Sequence, residues 1–155
     1  MKSLSTPKGS NKKKLATMLN ELLADYMMFY QNTRGLHWNI KGEKFFELHA
    51  KFEELYTNLL VKIDEIGERI LTLGEQPYHT FSDFIAYSKI KAVKNVSDAR
   101  KSAESVINGL EEVLKLQNTI LNASAEAGDE GTNALMSDYI AEQEKLLWMY
   151  KAYCS

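Results

Sequence analysis

Two pairs of side chains in this sequence have the residue types and spacing of metal ligands. His49 and Glu53 stand four residues apart, as do Asp64 and Glu68. In an α-helix four residues advance about 400°, so each pair projects from one face. The first pair offers a nitrogen and an oxygen, the second two carboxylates. His37, followed directly by Trp38, is a third candidate. Imidazole combined with carboxylate suits iron, manganese or zinc better than calcium or magnesium. Plainer roles compete with this one: acids at i,i+4 are common on solvated helix faces, and a helix-end histidine often serves as a surface or capping residue. His79, in a loop after Pro77, has no ligand-like neighbour and reads as ordinary surface.

The spacing sets a geometric problem. His49 and Asp64 are 15 residues apart on one predicted helix, which is about 22 Å at 1.5 Å per residue. No single coordination shell spans that distance. Either the two pairs belong to separate sites, or one is borrowed from a second subunit. Two copies of the helix packed antiparallel about a two-fold axis would set His49 of one against Asp64 of the other, twice per dimer.

The elements that must position these residues are helices. Apolar residues at 15, 18, 19, 22, 23, 26, 27 and 30 have helical spacing and predict a first helix from Leu15 to about Trp38. Asn39-Ile40-Lys41-Gly42 predicts a turn. A second helix carries Phe45, Phe52, Leu55, Tyr56, Leu59, Ile63, Ile66 and Ile70 inward and stops at Gly74-Glu75-Gln76-Pro77. Residues 82–86 predict one or two helical turns inside a long connection, and Ser97 reads as the N-cap of a third helix. Gly128-Asp129-Glu130-Gly131 separates it from a fourth, which bears Leu135, Tyr139, Ile140, Leu146, Leu147 and Tyr150. The expected fold is all-α, a four-helix bundle with one long crossover containing a short extra helix, which is the ferritin-like topology.

Composition narrows the function. The chain has 155 residues, 45% hydrophobic and 26% charged, ordinary values for a globular domain that needs no disulfide. Its apolar runs are too short to cross a bilayer. The opening residues carry lysines and a proline rather than an apolar stretch, and the single cysteine, Cys154, has no partner, so a cytoplasmic location is expected. Net charge is −2, yet residues 1–14 hold five lysines (Lys2, Lys8, Lys12, Lys13, Lys14) and no acid. Residues 1–10 read as a flexible basic arm before a domain spanning 11–155. From 116 to 144 there are six acids and no lysine or arginine.

Three segments together resemble the Dps family, the miniferritins: Leu36-His37-Trp38-Asn39-Ile40-Lys41-Gly42, Phe45 to Tyr56 with its F-F-E-L-H-A-K-F-E-E-L-Y run, and Ile63-Asp64-Glu65-Ile66-Gly67-Glu68-Arg69. Gly128-Asp129-Glu130-Gly131-Thr132 and Glu144-Lys145-Leu146-Leu147-Trp148-Met149 are similar too. No E-x-x-H occurs, which argues against a di-iron site built within one subunit. The resemblance implies a dodecameric shell of two-fold dimers with di-iron ferroxidase centres between subunits. His37, His49 and Glu53 would come from one chain, Asp64 and Glu68 from its mate. Some relatives carry Asp where this chain has Glu53. Such proteins oxidise ferrous iron with hydrogen peroxide, or less readily oxygen, and store the ferric oxide inside.

Further expectations attach to that resemblance. Trp38 could catch stray oxidising equivalents or simply pack at an interface. Asp129, Glu130 and Asp138 could line an iron-entry pore, or belong to a solvated loop. Ala134 stands where some relatives have another acid. The five N-terminal lysines could contact DNA phosphates, against the −24 that twelve chains of charge −2 would carry. The competing readings are a shell for DNA compaction or metal sequestration with little turnover, and a metal-free helical interaction module.

Overall fold

The structure is a computed structural model that describes residues 9–155. Its order is α1 (Gly9–Asn39), α2 (Phe45–Thr72), α3 (Phe81–Tyr87), α4 (Ala99–Ala127) and α5 (Glu130–Cys154), with no strand among the described residues. The four long helices form the bundle, and α3 lies in the connection between α2 and α4. The fold is therefore all-α and ferritin-like in topology. Two antiparallel hairpins, α1 with α2 and α4 with α5, make the most extensive packing, and α1 also lies against α4 and α3.

The helices end where the chain's chemistry stops them. Gly42 closes the α1–α2 turn at φ 106°, and Gly128 caps α4 in the left-handed region at φ 74°, a conformation that costs other residues a Cβ clash. Two boundaries differ from the sequence expectation. The α4 N-cap is Asp98 rather than Ser97; its carboxylate accepts the Lys101 N–H at 2.9 Å. An anionic cap suits the positive end of a helix, while the Ser97 carbonyl accepts the Lys41 N–H at 3.0 Å and ties the helix start to the α1–α2 turn. Helix α1 begins at Gly9, six residues before Leu15. Lys12, Lys13 and Lys14 consequently stand on the first turns of that helix, because lysine is a good helix former even without an apolar stripe. Lys2 and Lys8 lie outside the described residues.

Polar side chains decide how the crossover sits. Asn20 donates to the Gln76 carbonyl at 3.1 Å and accepts the Tyr78 N–H at 2.8 Å. Asn32 treats Lys91 and Val93 in the same way, at 2.8 and 2.9 Å. Asp25, almost fully buried, accepts from the Ser88 hydroxyl at 2.9 Å and the Lys89 N–H at 2.8 Å. The connection has little secondary structure to satisfy its backbone, so α1 supplies the partners. A second polar group locks three helices together in the core. Tyr26 donates to Gln117, Gln117 to Gln143 at 2.7 Å, and Gln143 back to the Tyr26 hydroxyl at 2.7 Å. Every member of this ring is paired, which makes it a specifying feature instead of a cost.

Burial raises the Asp25 carboxyl above the usual carboxylate range; the Lys89 N–H, the Ser88 hydroxyl and the Lys89 charge offset this only in part, and Glu112 adds to it. The folded chain thus binds this proton more tightly than the unfolded chain, and the associated stability is lost as pH rises through the raised value. Asp25→Asn keeps an accepting oxygen without the charge. It should be more stable than the parent at neutral pH, with the gain vanishing in acid, as read from denaturant midpoints across pH.

Candidate metal centre

The α1–α2 turn brings His37, at the end of one helix, beside His49, one turn into the next. Each ring holds the other's backbone. His37 Nδ1–H donates to the His49 carbonyl at 2.6 Å, and His49 Nδ1–H donates to the His37 carbonyl at 2.8 Å. A carbonyl can only accept, so both Nδ1 atoms carry a proton, and in the neutral ring Nε2 is the nitrogen left to ligate. The rings stack at 3.7 Å with 13° between their planes. Phe45 stacks on the outer face of His49 at 4.8 Å, and Tyr56 meets His37 edge-on at 5.3 Å. The pair cannot rotate without losing both hydrogen bonds and this packing.

Glu53 completes the group. Its Oε1 lies 3.7 Å from His37 Nε2, and ligand atoms of His37, His49 and Glu53 fall within 4.8 Å of one another. Two metal–ligand bonds of about 2.1 Å span at most about 4.2 Å, so a first-row ion needs only a small adjustment, which the exposed Glu53 can make. His37 is buried and His49 half-buried. Three donors leave such an ion short of its usual four to six ligands.

Asp64 and Glu68 are not part of this group. They lie further along α2, exposed, about 22 Å (Asp64) and about 28 Å (Glu68) from His49 by helical rise. Most acids near them have partners: Glu65 accepts the Tyr139 hydroxyl at 2.8 Å, Glu54 pairs with Lys51, and Glu142 pairs with Lys62 at 2.9 Å. The Asp64 and Glu68 carboxylates make no hydrogen bond or ion pair among the described residues. One chain therefore brings together three of the five expected ligands and leaves the other two unpaired on the same helix.

The acidic loop divides. Asp129 is fully buried: it caps α5 by accepting the Thr132 N–H at 3.1 Å and hydroxyl at 2.5 Å, and it pairs with Arg69 at 2.8 Å. With its oxygens so engaged it offers no face to a passing cation, which corrects its place in the expected pore. Glu130 and Asp138 are exposed. Trp38 is 60% exposed, with the Arg34 guanidinium 5.4 Å from its ring centroid. The sequence reading missed Phe45, Tyr56 and Arg34 as neighbours of the centre. Phe45 at i−4 from His49 and Arg34 at i−4 from Trp38 carried a signal; Tyr56 did not, since its contact crosses between helices.

Residues 16–155 match the ferritin-like domain family. The chain is 38% identical over 137 residues to a DNA protection during starvation protein of Porphyromonas gingivalis, covering 88% of this chain and 86% of that protein. It is 54% identical over 140 residues to an uncharacterised protein of Haemophilus influenzae, covering 90% and 88%. The crystal structure of a Dps protein from Vibrio cholerae O1, described as a member of a broad superfamily of ferritin-like diiron-carboxylate proteins, superposes with a TM-score of 0.94 at 50% identity, covering 100% of both chains. This chain belongs to the Dps family. A Dps from Bacillus brevis gives 0.91 at 31% identity, also over 100% of both chains. The Dps fold is thus shared along the whole described chain, so His37, His49, Glu53, Asp64 and Glu68 can be examined on a common scaffold.

Asp129 tests the division within the acidic loop. Asp129→Ala removes a helix cap and leaves Arg69 without its buried partner. It should lower stability by about 3 kcal/mol, measured by denaturant unfolding, whereas Glu130→Gln should be nearly neutral.

Proposed function

We propose that this Dps-family chain is a ferroxidase and iron-storage protein whose reactive centres form between two-fold-related copies. The observation that carries the reading is the mismatch within one chain. A preorganised His37–His49–Glu53 group lacks ligands, and Asp64 and Glu68 lack partners a helix-length away. An antiparallel pairing of α2 helices answers both deficits at once and yields two equivalent sites per dimer. Dodecameric assembly is the family expectation carried onto that dimer.

Ferrous iron is the substrate. The two Nε2 atoms and Glu53 Oε1 would seat one ion, and Asp64 and Glu68 of the mate would supply hard anionic oxygens to the pair. Such oxygens favour the ferric state and so make bound iron easier to oxidise. With two ions held together, 2 Fe²⁺ + H₂O₂ + 2 H⁺ gives 2 Fe³⁺ + 2 H₂O. Both electrons go to one peroxide and no hydroxyl radical is released. The reciprocal Nδ1–H···O bonds keep each imidazole in the ligating tautomer throughout, so no proton rearrangement is needed when iron arrives. Glu130 and Asp138 are the exposed acids proposed to draw cations toward the shell.

A second reading gives DNA a larger part. Several relatives carry DNA protection in their names, and Lys12, Lys13 and Lys14 crowd the first turns of α1. That reading predicts binding that weakens as salt rises and does not involve the histidines. No helix among the described residues is long and apolar enough to cross a membrane, and a reducing cytoplasmic setting is part of the proposal.

Two variants decide the matter. His37→Gly with His49→Gly, and Asp64→Asn with Glu68→Gln, should each assemble yet lose rapid ferric absorbance on adding ferrous iron and peroxide. Refolded together in equal amounts they should recover about a quarter of the parental rate, since one site in each mixed dimer receives both intact halves. No recovery on mixing would place the centre within one chain. Parental rates in the histidine variant would remove those residues from the reaction.

A further inference from the structure

Arg34 stands on α1, one turn before Trp38, with its charge among aromatic rings. Its guanidinium carbon lies 5.7 Å from the Tyr30 ring centroid, 5.4 Å from Trp38 and 5.4 Å from Tyr56. Nη1 donates to the Tyr30 hydroxyl at 2.7 Å, and Nε is buried with no hydrogen-bond partner. No acid within ion-pair distance neutralises Arg34 among the described residues. Tyr56 in turn touches the His37 ring edge-on at 5.3 Å. One uncompensated cation thus faces three oxidisable rings, one of them in contact with a proposed iron ligand.

We propose that Arg34 makes these rings poor electron donors, so that oxidising equivalents generated at the centre are met by iron and not by protein. The inference rests on the ferroxidase reading for its purpose, though the ring chemistry can be measured without iron. The hazard arises when a site holds a single ferrous ion. Peroxide needs two electrons, iron supplies one, and a nearby ring can supply the other: Fe²⁺ + H₂O₂ + Trp + 2 H⁺ gives Fe³⁺ + 2 H₂O + Trp•⁺. A ring that has lost an electron is positively charged, and a guanidinium over its face opposes that charge as strongly as it favours the neutral ring. Tyr30 is guarded in a second way. Phenol oxidation requires a base to take the hydroxyl proton, and Arg34 presents Tyr30 with a donor instead. Arg34 acts through the rings and touches no reacting atom; it is a positioning residue for charge. Of the two sequence readings of Trp38, a catcher of stray oxidising equivalents or a packed interface aromatic, this account disfavours the first.

The test uses the full-length assembled protein carrying Trp148→Phe, which leaves Trp38 as the sole tryptophan of the two in the chain. Iron-free protein is treated with hexachloroiridate(IV), an outer-sphere one-electron oxidant, and loss of tryptophan fluorescence is followed. Arg34→Met should lose Trp38 about three- to tenfold faster than the parent, even though removing a cation also weakens attraction of this anionic oxidant. Arg34→Lys, which keeps the charge, should stay near the parental rate, with acrylamide quenching reporting equal ring access in all three. Equal rates in parent and Met variant, or a Lys variant as fast as Met, would overturn the proposal. A parallel arm adds one ferrous ion per site and then peroxide, and reads the protein radical by freeze-quench electron paramagnetic resonance; more radical in the Met variant than in the parent is expected. A parent that leaves ferrous iron unoxidised by peroxide would sink the ferroxidase reading, while the iron-free comparison still decides what Arg34 does to the rings.

Discussion

The centre depends on an exchange of hydrogen bonds across one turn: each of two histidines is fixed by the other's backbone carbonyl. An imidazole has two nitrogens and one proton to share between them, so whatever accepts that proton decides which nitrogen can ligate. Here the acceptors are the carbonyls of His37 and His49 themselves. The tautomer is therefore set by the path of the backbone through the α1–α2 turn and not by a carboxylate that could move or titrate. Gly42 at φ 106° and the Lys41–Ser97 bond hold that path, and Phe45 and Tyr56 fill the remaining sides of the stacked rings.

Rigidity on one side and exposure on the other divide the chain's acids by role. Those engaged in hydrogen bonds or ion pairs serve the fold. Asp25 pins the crossover, Asp98 and Asp129 cap helices, Glu65 anchors the Tyr139 hydroxyl and Glu142 neutralises the buried Lys62. Asp64, Glu68, Glu130 and Asp138 are exposed and are among the acids whose oxygens no described residue engages. For the buried Asp25 and Asp129 desolvation enforces that use, because a buried carboxylate must satisfy its oxygens within the chain, after which it has little left to offer a metal.

The aromatic surroundings of the centre add a redox aspect to this electrostatic pattern. On the proposed reading, carboxylates on α2 would favour the higher oxidation state of iron, while the Arg34 cation on α1 faces Tyr30, Tyr56 and Trp38 and would disfavour their oxidation. Charges of opposite sign, placed on neighbouring helices, push in one direction: electrons leave iron more easily and leave protein less easily.

Much of this was legible in the sequence. Periodicity gave four long helices and a short one in the crossover, because apolar stripes at 3.6-residue spacing must be buried. The i,i+4 spacing placed His49 with Glu53 and Asp64 with Glu68, and simple helical rise separated the two pairs. Tertiary structure alone decided the rest. The reciprocal histidine bonds, the Asp129–Arg69 pair that withdraws Asp129 from the acidic loop, and the Arg34–Tyr56 contact all join residues on different helices or on either side of a turn. Ser97 and Asp98 are both competent caps by type, and only the Lys41 contact chose between them. A linear pattern records which face a residue occupies; which partner waits opposite depends on how helices pack, and that is where burial, hydrogen bonding and charge were settled.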